Sequence, residues 1–395
     1  MRYARRIVDM AESPIRKLVP YAQEAKDRGV KVFHVNIGQP DIKTPESIMQ
    51  AIRNIDMDVL AYGPSEGLAS YRNKLPEYYR DRGIQVEPED ILVTTAGSEA
   101  LLFTIMALCD SGDELIVPEP YYANVNGFAA MAGVTIVPVR TYLEEGFALP
   151  EAEAFAQQIS ERTRGILICN PNNPTGAVYS RRRLEELGEL TQKHDLYLIA
   201  DEVYREFAYD GGKSVSLLEL PGLEERAVVT DSISKRYSAC GARVGSIVSR
   251  NRELLKYILK MAQARLCPPT VEQIAAQAAL DLDADYFAGT LAEYERRRDR
   301  VVRELQKIPG VACRKPEGAF YVMARLPVER AEDFAIFMLR DFSYEGKTVM
   351  MAPADGFYAT PGAGLDEVRI AYVLNEEDMA EVVDLIRRGL EAYRS

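Results

Sequence analysis

The chain has 395 residues, of which 47% are hydrophobic and 27% charged, and its formal net charge is -12. Fractions near those of ordinary globular proteins exclude a disordered or fibrous chain, and the length predicts about two or three domain-sized units. The acidic balance argues against nucleic acid or an anionic membrane as a partner, because both would repel the chain at long range. We therefore expect a small-molecule function.

The five cysteines lie far apart, and the chain has only two histidines. Without a CxxC pair, this pattern predicts neither a disulfide framework nor a metal site. The first residues turn polar before a signal peptide forms, and no apolar run reaches membrane-spanning length. A reducing cytoplasm is the expected compartment.

Short apolar runs alternate with longer amphipathic stretches through the middle of the chain. Six runs predict β-strands, and in chain order they read DILVTTA, DELIVP, GVTIVPV, RGILICN, LYLIADEV and RAVVTDSI. The alternation predicts a parallel α/β sheet, and the continuous apolar runs predict helices on both of its faces. Ligand sites in such sheets lie at the carboxyl ends of the strands.

The pattern changes after about residue 291, where charged helices and the strand-like run GAFYVMARL predict a second, α+β unit. The N-terminal stretch is helical in period and continues into KVFHVNIGQPD, which we expect to return the chain across the cleft. We therefore predict three parts: an N-terminal segment, residues 1–45, that packs with the small domain; a large ligand-binding domain, residues 46–290; and a small C-terminal domain, residues 291–395.

Gly97 and Ser98, in TTAGSEAL, follow a predicted strand and open a predicted helix. Free backbone N–H groups and the helix dipole at such a position favour a bound phosphate. An ordinary helix cap by Ser98 explains the same residues. The two interpretations stay open on these residues alone.

Asn173 and Asp201 follow two further predicted strands. CNPNNPTG, residues 169–176, predicts a turn directly after a strand, with the amide of Asn173 facing a cleft. Asp201, in IADEVY, ends an apolar strand, which is a poor place for a carboxylate without a partner. Capping of the following turn explains Asp201 equally well.

Lys235 lies in DSISKRYSACGARVG. A lysine amine forms an imine with an aldehyde, and basic neighbours favour its neutral, nucleophilic form. Ser232 and Arg243 are suited to bind a phosphate beside it. A solvated basic turn is the alternative interpretation.

NPNNPTG, DEVY and SKRYSACGARVG, in this order, resemble the signatures of class I/II aminotransferases, the fold-type-I pyridoxal-phosphate enzymes related to aspartate aminotransferase. The resemblance extends to NIGQPDIKTP, AYGPSEGLASYR, PEPYYAN, PEGAFYVMARL and VRIAYVLNEED, and so covers nearly the whole chain. It implies an α/β fold whose large domain holds a mainly parallel seven-stranded sheet between helices, with a smaller α+β domain. The implied cofactor is pyridoxal 5'-phosphate.

The resemblance also implies catalytic roles. Lys235 would be the Schiff-base lysine, and Asp201 the carboxylate that pairs with the pyridine nitrogen and makes the ring an electron sink. Tyr204 and Asn173 would hydrogen-bond the phenolic oxygen of the cofactor, and Tyr122 would stack on its ring.

A phosphate site and a dimer follow from the same resemblance. Gly97, Ser98, Ser232 and Arg243 would hold the phosphate, and Tyr62 would reach it from the other subunit. A homodimer with active sites at the subunit interface is thus implied.

Substrate binding is implied for Arg369, in VRIAY, which matches the family arginine for the α-carboxylate, where a planar bidentate donor suits best. Gly38, in IGQPD, would add a backbone contact, and Asn173 belongs to the same implied set. A surface arginine on a strand is the alternative for Arg369.

Two stretches depart from the family pattern. A common PG before the substrate arginine is replaced by MAPADGFYATPGAG, with Ala354 after Pro353, and the lysine that some aspartate-using members carry near Ser98 is absent. We take Arg16, in SPIRKL, as the candidate for a distal carboxylate. A solvated helix arginine is the alternative.

The implied reaction moves an amino group between an L-amino acid and a 2-oxo acid by a ping-pong mechanism, with aspartate favoured over alanine or aromatic donors. In it, the freed amine of Lys235 moves the Cα proton. A carbon–sulfur β-lyase would use the same residues, and a cofactor-binding regulatory module is a rival of another class. A nucleotide-binding α/β enzyme is disfavoured, because no GxGxxG or GxxxxGK stands at a strand–helix turn.

Overall fold

The computed structural model describes residues 2–394. Its strands are β1 (Lys31–His34), β2 (Ile91–Thr94), β3 (Glu114–Glu119), β4 (Thr135–Arg140), β5 (Thr163–Cys169), β6 (Tyr197–Asp201), β7 (Ala227–Ser232), β8 (Gly245–Val248), β9 (Ala312–Cys313), β10 (Tyr321–Arg325), β11 (Lys347–Met350), β12 (Ala352–Pro353) and β13 (Glu367–Ala371). Its helices are α1 (Arg5–Val8), α2 (Val19–Asp27), α3 (Glu46–Arg53), α4 (Ala69–Arg80), α5 (Ala96–Leu108), α6 (Asn124–Ala132), α7 (Ala152–Ala156), α8 (Arg181–Lys193), α9 (Ile233–Arg236), α10 (Arg252–Arg265), α11 (Thr270–Ala279), α12 (Ala284–Leu305), α13 (Ala331–Arg340) and α14 (Glu376–Arg394).

A seven-stranded sheet of order β2-β8-β7-β6-β5-β3-β4 organises the larger part of the chain. The six runs predicted as strands form β2 to β7, and every pairing among them is parallel. The exception is β8, which runs antiparallel to both β2 and β7. The prediction of a mainly parallel seven-stranded sheet is confirmed.

Sequence patterning did not identify β8. A parallel return requires a crossover of a dozen or more residues, usually with a helix that packs on the sheet. The chain instead turns back after the single-turn α9, so that Gly245 pairs with Ser232 in antiparallel register. This reversal brings the turn that carries Lys235 to the carboxyl edge of the sheet.

Both faces of the large sheet are buried. Consecutive strand residues belong alternately to two apolar clusters, one on each face of the sheet. In β5, for example, Ile166 and Ile168 pack in one cluster and Leu167 packs in the other. This explains why the strands read as continuous apolar runs, because a period of two places successive side chains on opposite, equally covered faces. Side-chain caps at Ser180 and Asn251 start α8 and α10 on these faces.

The C-terminal part holds an antiparallel sheet of order β12-β13-β10-β9. The N-terminal segment lies against this part, because β1 pairs in parallel with β11 and α2 packs on α13 within a shared apolar cluster. The division into residues 1–45, 46–290 and 291–395 stays a prediction, and its second boundary falls inside the continuous helix α12. None of the helices within residues 2–394 has the length and apolarity needed to cross a bilayer.

Candidate functional site

A cavity of about 510 Å³ lies at the carboxyl edge of the large sheet. The chain leaves β6 at Asp201 and β7 at Ser232, and parallel strands present these ends at one edge. Twelve of the predicted site residues line the cavity: Arg16, Gly38, Gly97, Ser98, Tyr122, Asn173, Asp201, Tyr204, Ser232, Lys235, Arg243 and Arg369. The structure therefore brings together residues that are far apart in the sequence.

Lys235 presents its amine to this cavity from α9. The turn before it is held by Ser232, whose hydroxyl accepts from the backbone N–H of Ser234 at 3.2 Å. The Nζ of Lys235 donates to the backbone oxygen of Gly38 at 2.7 Å and lies 3.8 Å from the Sγ of Cys240. No carboxylate forms an ion pair with this amine in residues 2–394, so it is free to react.

Asp201 is a buried acid without a cationic partner. No lysine or arginine of the described chain forms an ion pair with it, and its carboxylate accepts a hydrogen bond from the backbone N–H of Val203 at 3.3 Å. Burial raises the pKa of Asp201 to about 7, helped by the negative charges of Asp231 and Glu202 and opposed by Val203 and Lys235. A cation placed beside Asp201 would remove this penalty.

Arg369 is the opposite case, a guanidinium that is only 1% exposed and that pairs with no carboxylate in residues 2–394. Nη1 donates to Oδ1 of Asn173 at 2.8 Å and Nη2 donates to the backbone oxygen of Asn36, whereas Nε has no partner. Burial lowers the pKa of this guanidinium. The rings of Tyr321 and Phe357 lie 4.5 Å and 4.9 Å from its central carbon.

Another wall of the cavity is suited to an anion. α5 begins there without a side-chain cap, and the N–H groups in the first turn of a helix have no intrahelical acceptors. Gly97 and Ser98 lie in this turn, with Ser232 and Arg243 also lining the cavity. A Cβ on Gly245 would lie 2.5 Å from the carbonyl carbon of Ala96, so only glycine lets β8 pass beneath the start of α5.

Two tyrosines, Tyr122 and Tyr204, also line the cavity. The hydroxyl of Tyr122 accepts a hydrogen bond from Nδ2 of Asn124 at 2.7 Å. The hydroxyl of Tyr204 lies 2.7 Å from that of Tyr321, and burial raises the pKa of Tyr204 well above its ordinary value. Tyr204 is therefore a neutral hydrogen-bond donor at ordinary pH.

The altered loop after β12 closes the side of the site that holds Arg369. Ala354 precedes a short 3-10 turn that packs Phe357 on the guanidinium. A Cβ on Gly356 would lie 2.6 Å from Pro14, so the loop contacts the N-terminal segment directly. Arg16, two residues after Pro14, lines the cavity, where it is exposed and forms no ion pair with any described residue.

Tyr62 is the one predicted site residue that this chain does not bring to its own cavity. Its side chain is 81% exposed. Close to it in the sequence, Met57, Val59 and Leu60 are also exposed. The prediction that Tyr62 acts in the site of a second subunit is not tested by a single chain.

The lining residues that received no role from the sequence include Tyr321, Cys240 and Asn124. Cys240 and Asn124 stand within motifs that the sequence singled out, and their closeness to Lys235 and Tyr122 was the available signal. Tyr321 stands in the motif PEGAFYVMARL, but its role depends on Tyr204, which it meets across 117 residues of chain.

Asp201→Asn should change how stability depends on pH in the ligand-free protein. The folded pKa of Asp201 lies above the unfolded one, so the native state holds the extra proton and this contribution to stability is lost as pH rises from about 4 through 7. Asparagine carries no charge at any of these pH values. Between pH 4 and pH 8, the free energy of unfolding of the variant should therefore rise by roughly 4 kcal/mol relative to that of the wild type.

Urea denaturation of both proteins at several pH values measures this difference. Asp195→Asn is the matched control, because its carboxylate is 91% exposed and forms a surface ion pair with Arg226. A difference for Asp201→Asn that shrinks between pH 4 and 8 would contradict the assignment of a buried, unpaired acid.

Comparison with known proteins identifies the family. The model of aminotransferase class I and II matches residues 30–386. The aspartate aminotransferase of Bacillus subtilis (strain 168) is 30% identical over 100% of both chains. A probable aspartate/prephenate aminotransferase of Aquifex aeolicus (strain VF5) is 33% identical over 98% of each.

The architecture agrees with the sequence match. The solved alanine aminotransferase from Pyrococcus furiosus superposes with a TM-score of 0.90 at 31% identity, over 99% of this chain and 100% of that one. The predicted fold-type-I architecture is confirmed. The chain belongs to the class I and II aminotransferases.

Proposed function

We propose that this protein is a pyridoxal-phosphate-dependent aminotransferase that moves an amino group between an L-amino acid and a 2-oxo acid by a ping-pong mechanism. One observation carries the proposal: Asp201 and Arg369, two buried groups of opposite charge, face the same cavity and each lacks a counter-ion among the described residues. The free amine of Lys235 lines that cavity as well.

The lining residues fit pyridoxal phosphate group by group. Asp201 needs a cation, which a protonated pyridine nitrogen supplies, and the first turn of α5 with Ser232 and Arg243 suits a phosphate. The hydroxyl of Tyr204 is a donor for a phenolic oxygen, and the ring of Tyr122 offers a stacking face. When bound, the cofactor accepts the electron pair that remains after the substrate loses its Cα proton.

Three residues of the protein then have separate roles in the reaction. Arg369 binds the substrate carboxylate, because a buried guanidinium without an anionic partner gains most from one. The amine of Lys235 removes the Cα proton and returns it after the bonds rearrange. Asp201 stays ionised beside the pyridine nitrogen and holds its proton in place.

Borohydride reduction followed by peptide mapping should place the cofactor on Lys235. Lys235→Ala should lower kcat by at least about 100-fold, because general acid–base catalysis alone contributes that much. Initial-rate plots for donor and acceptor should be parallel. Lys193→Ala, at the exposed end of α8, is the control and should leave kcat unchanged. A label on another lysine would contradict the proposal.

We further propose that dicarboxylic donors are preferred, with Arg16 as the second cation of the site. Arg16 and Arg369 both line the cavity, and neither pairs with an acid in residues 2–394. Relatives named for aspartate and for alanine match this chain equally closely, so the preference is argued from this second arginine.

Arg16→Ala should reduce kcat/KM for aspartate by about 10- to 100-fold and leave that for alanine unchanged, because a charge-assisted hydrogen bond to the distal carboxylate is lost. A panel of amino donors with 2-oxoglutarate measures both values. Lys17→Ala is the matched control, since Lys17 already pairs with Glu332 at 2.7 Å. An equal loss for both donors would refute the role of Arg16.

We also propose a cytoplasmic homodimer in which Tyr62 completes the site of the partner. Five unpaired cysteines agree with a reducing compartment. Tyr62 follows a stretch with further exposed apolar side chains, Met57, Val59 and Leu60, and such a group favours a covering surface.

Mixing two inactive variants tests the dimer. Hybrids of Tyr62→Ala with Lys235→Ala contain one intact site of two if Tyr62 acts across the interface, so refolding an equal mixture should recover about a quarter of wild-type activity. Lys235→Ala mixed with Asp201→Ala is the control, because Lys235 and Asp201 line the cavity of the same chain, so each site of a hybrid is damaged and no activity should return. Failure of the first mixture to recover activity, or recovery of equal size in the control, would refute the role of Tyr62.

A further inference from the structure

Tyr321 begins β10 and is buried, with 2% of its surface exposed. Its hydroxyl has one recorded partner, the hydroxyl of Tyr204 at 2.7 Å, and Tyr204 has no other hydrogen bond from its hydroxyl within residues 2–394. A hydroxyl donates one hydrogen bond and accepts others. If Tyr321 donates to Tyr204, the proton of Tyr204 is left to point into the cavity.

The ring of the same tyrosine supports Arg369. The guanidinium carbon lies 4.5 Å from the ring centroid, close enough for a cation–π contact. The register of β10 with β13 produces this contact, because Met323 stands opposite Arg369 and Tyr321 opposite Ala371. Arg369 thus depends on β10 for a neighbour that compensates part of its charge.

Gly38 lies against the hydroxyl of Tyr321 from a third direction. A Cβ on Gly38 would lie 1.8 Å from that oxygen, so the backbone approaches the tyrosine as closely as a glycine allows. The carbonyl oxygen of Gly38 accepts the hydrogen bond of Lys235. The side chain of Tyr321 therefore contacts Tyr204, Arg369 and Gly38, and Gly38 accepts the hydrogen bond from the amine of Lys235.

We propose that Tyr321 is a positioning residue of the active site: its hydroxyl directs the hydroxyl of Tyr204 at the phenolic oxygen of the cofactor, and its ring holds Arg369 at the substrate carboxylate. This inference rests on the proposed function. It couples the two ends of the site, one that tunes the cofactor and one that binds the substrate, through a single residue of the C-terminal part.

A packing role alone is the competing explanation. Tyr321 touches Phe320 and Tyr204 edge-on or tilted, within an aromatic cluster that includes Phe207 and Tyr294. Phenylalanine would preserve such packing. A change caused by removing the hydroxyl alone therefore separates the two roles.

Tyr321→Phe should raise the pH midpoint at which the absorbance of the bound cofactor titrates. A donor to the phenolic oxygen stabilises the deprotonated form, and Tyr204 donates less strongly once its own support is removed. The loss of one neutral hydrogen bond corresponds to a rise of roughly 0.3–1 pH unit. Tyr204→Phe should produce a larger rise, and the double variant should equal Tyr204→Phe alone.

Tyr321→Leu tests the ring. It should show the same shift of the midpoint and in addition raise KM for the amino donor about threefold to tenfold, because the cation–π contact with Arg369 is lost. Tyr321→Phe keeps the ring and should keep KM. Thermal unfolding of each cofactor-free variant confirms that it is folded.

Tyr294→Phe is the matched control. It removes a buried tyrosine hydroxyl that has no hydrogen-bond partner among the described residues, so the midpoint should not move. An unchanged midpoint in Tyr321→Phe, or shifts that add in the double variant with Tyr204→Phe, would overturn the proposal. Failure of the proposed function is distinguishable, because the wild-type protein would then show no titrating cofactor band.

Discussion

The structure depends on two buried charges that have no counter-ion among residues 2–394. Taking an ion out of water costs several kcal/mol unless a partner compensates it. Asp201 and Arg369 bear this cost at one cavity, and the first shows it in a pKa raised to about 7. A cofactor that brings a cation to Asp201 and a substrate that brings a carboxylate to Arg369 would recover the cost on binding. The same unfavourable burial therefore supplies both affinity and orientation.

A neighbouring cluster of buried charges differs from Asp201 and Arg369, because each of its members has an oppositely charged partner. Arg236 binds Asp231 at 2.6 Å, and Arg205 binds Glu202 at 2.8 Å, with all four side chains buried. Burial alone would raise the pKa of Asp231, but Arg236 and Arg205 hold it below its ordinary value. Asp231 and Arg236 lie directly beside Ser232 and Lys235 in sequence, and Glu202 follows Asp201. Paired charges fix the turn, and the unpaired Asp201 next to them remains available for chemistry.

The site is assembled from parts of the chain that are far apart in the sequence but close together in the structure. The large sheet supplies Asp201, and the turn of α9 after β7 supplies Lys235. The antiparallel sheet supplies Arg369, and the N-terminal segment supplies Gly38. Hydrogen bonds join these parts at the reacting groups themselves, from Lys235 to Gly38 and from Arg369 to Asn173. A movement of one part relative to another would therefore change these hydrogen bonds at the site, even if the apolar packing within each part stayed the same.

The sequence by itself determined six strands of the large sheet, the polar residues at their ends and the family, because apolar periodicity and ordered motifs are local properties of the chain. Only the tertiary structure decided that β8 runs antiparallel and that Phe357 and Tyr321 flank Arg369. It also decided that Arg369 and Asp201 meet no counter-ion in the described part of the chain. The physical reason is that strand register and the absence of a partner are relations between distant residues. No local pattern encodes which groups a buried charge will meet.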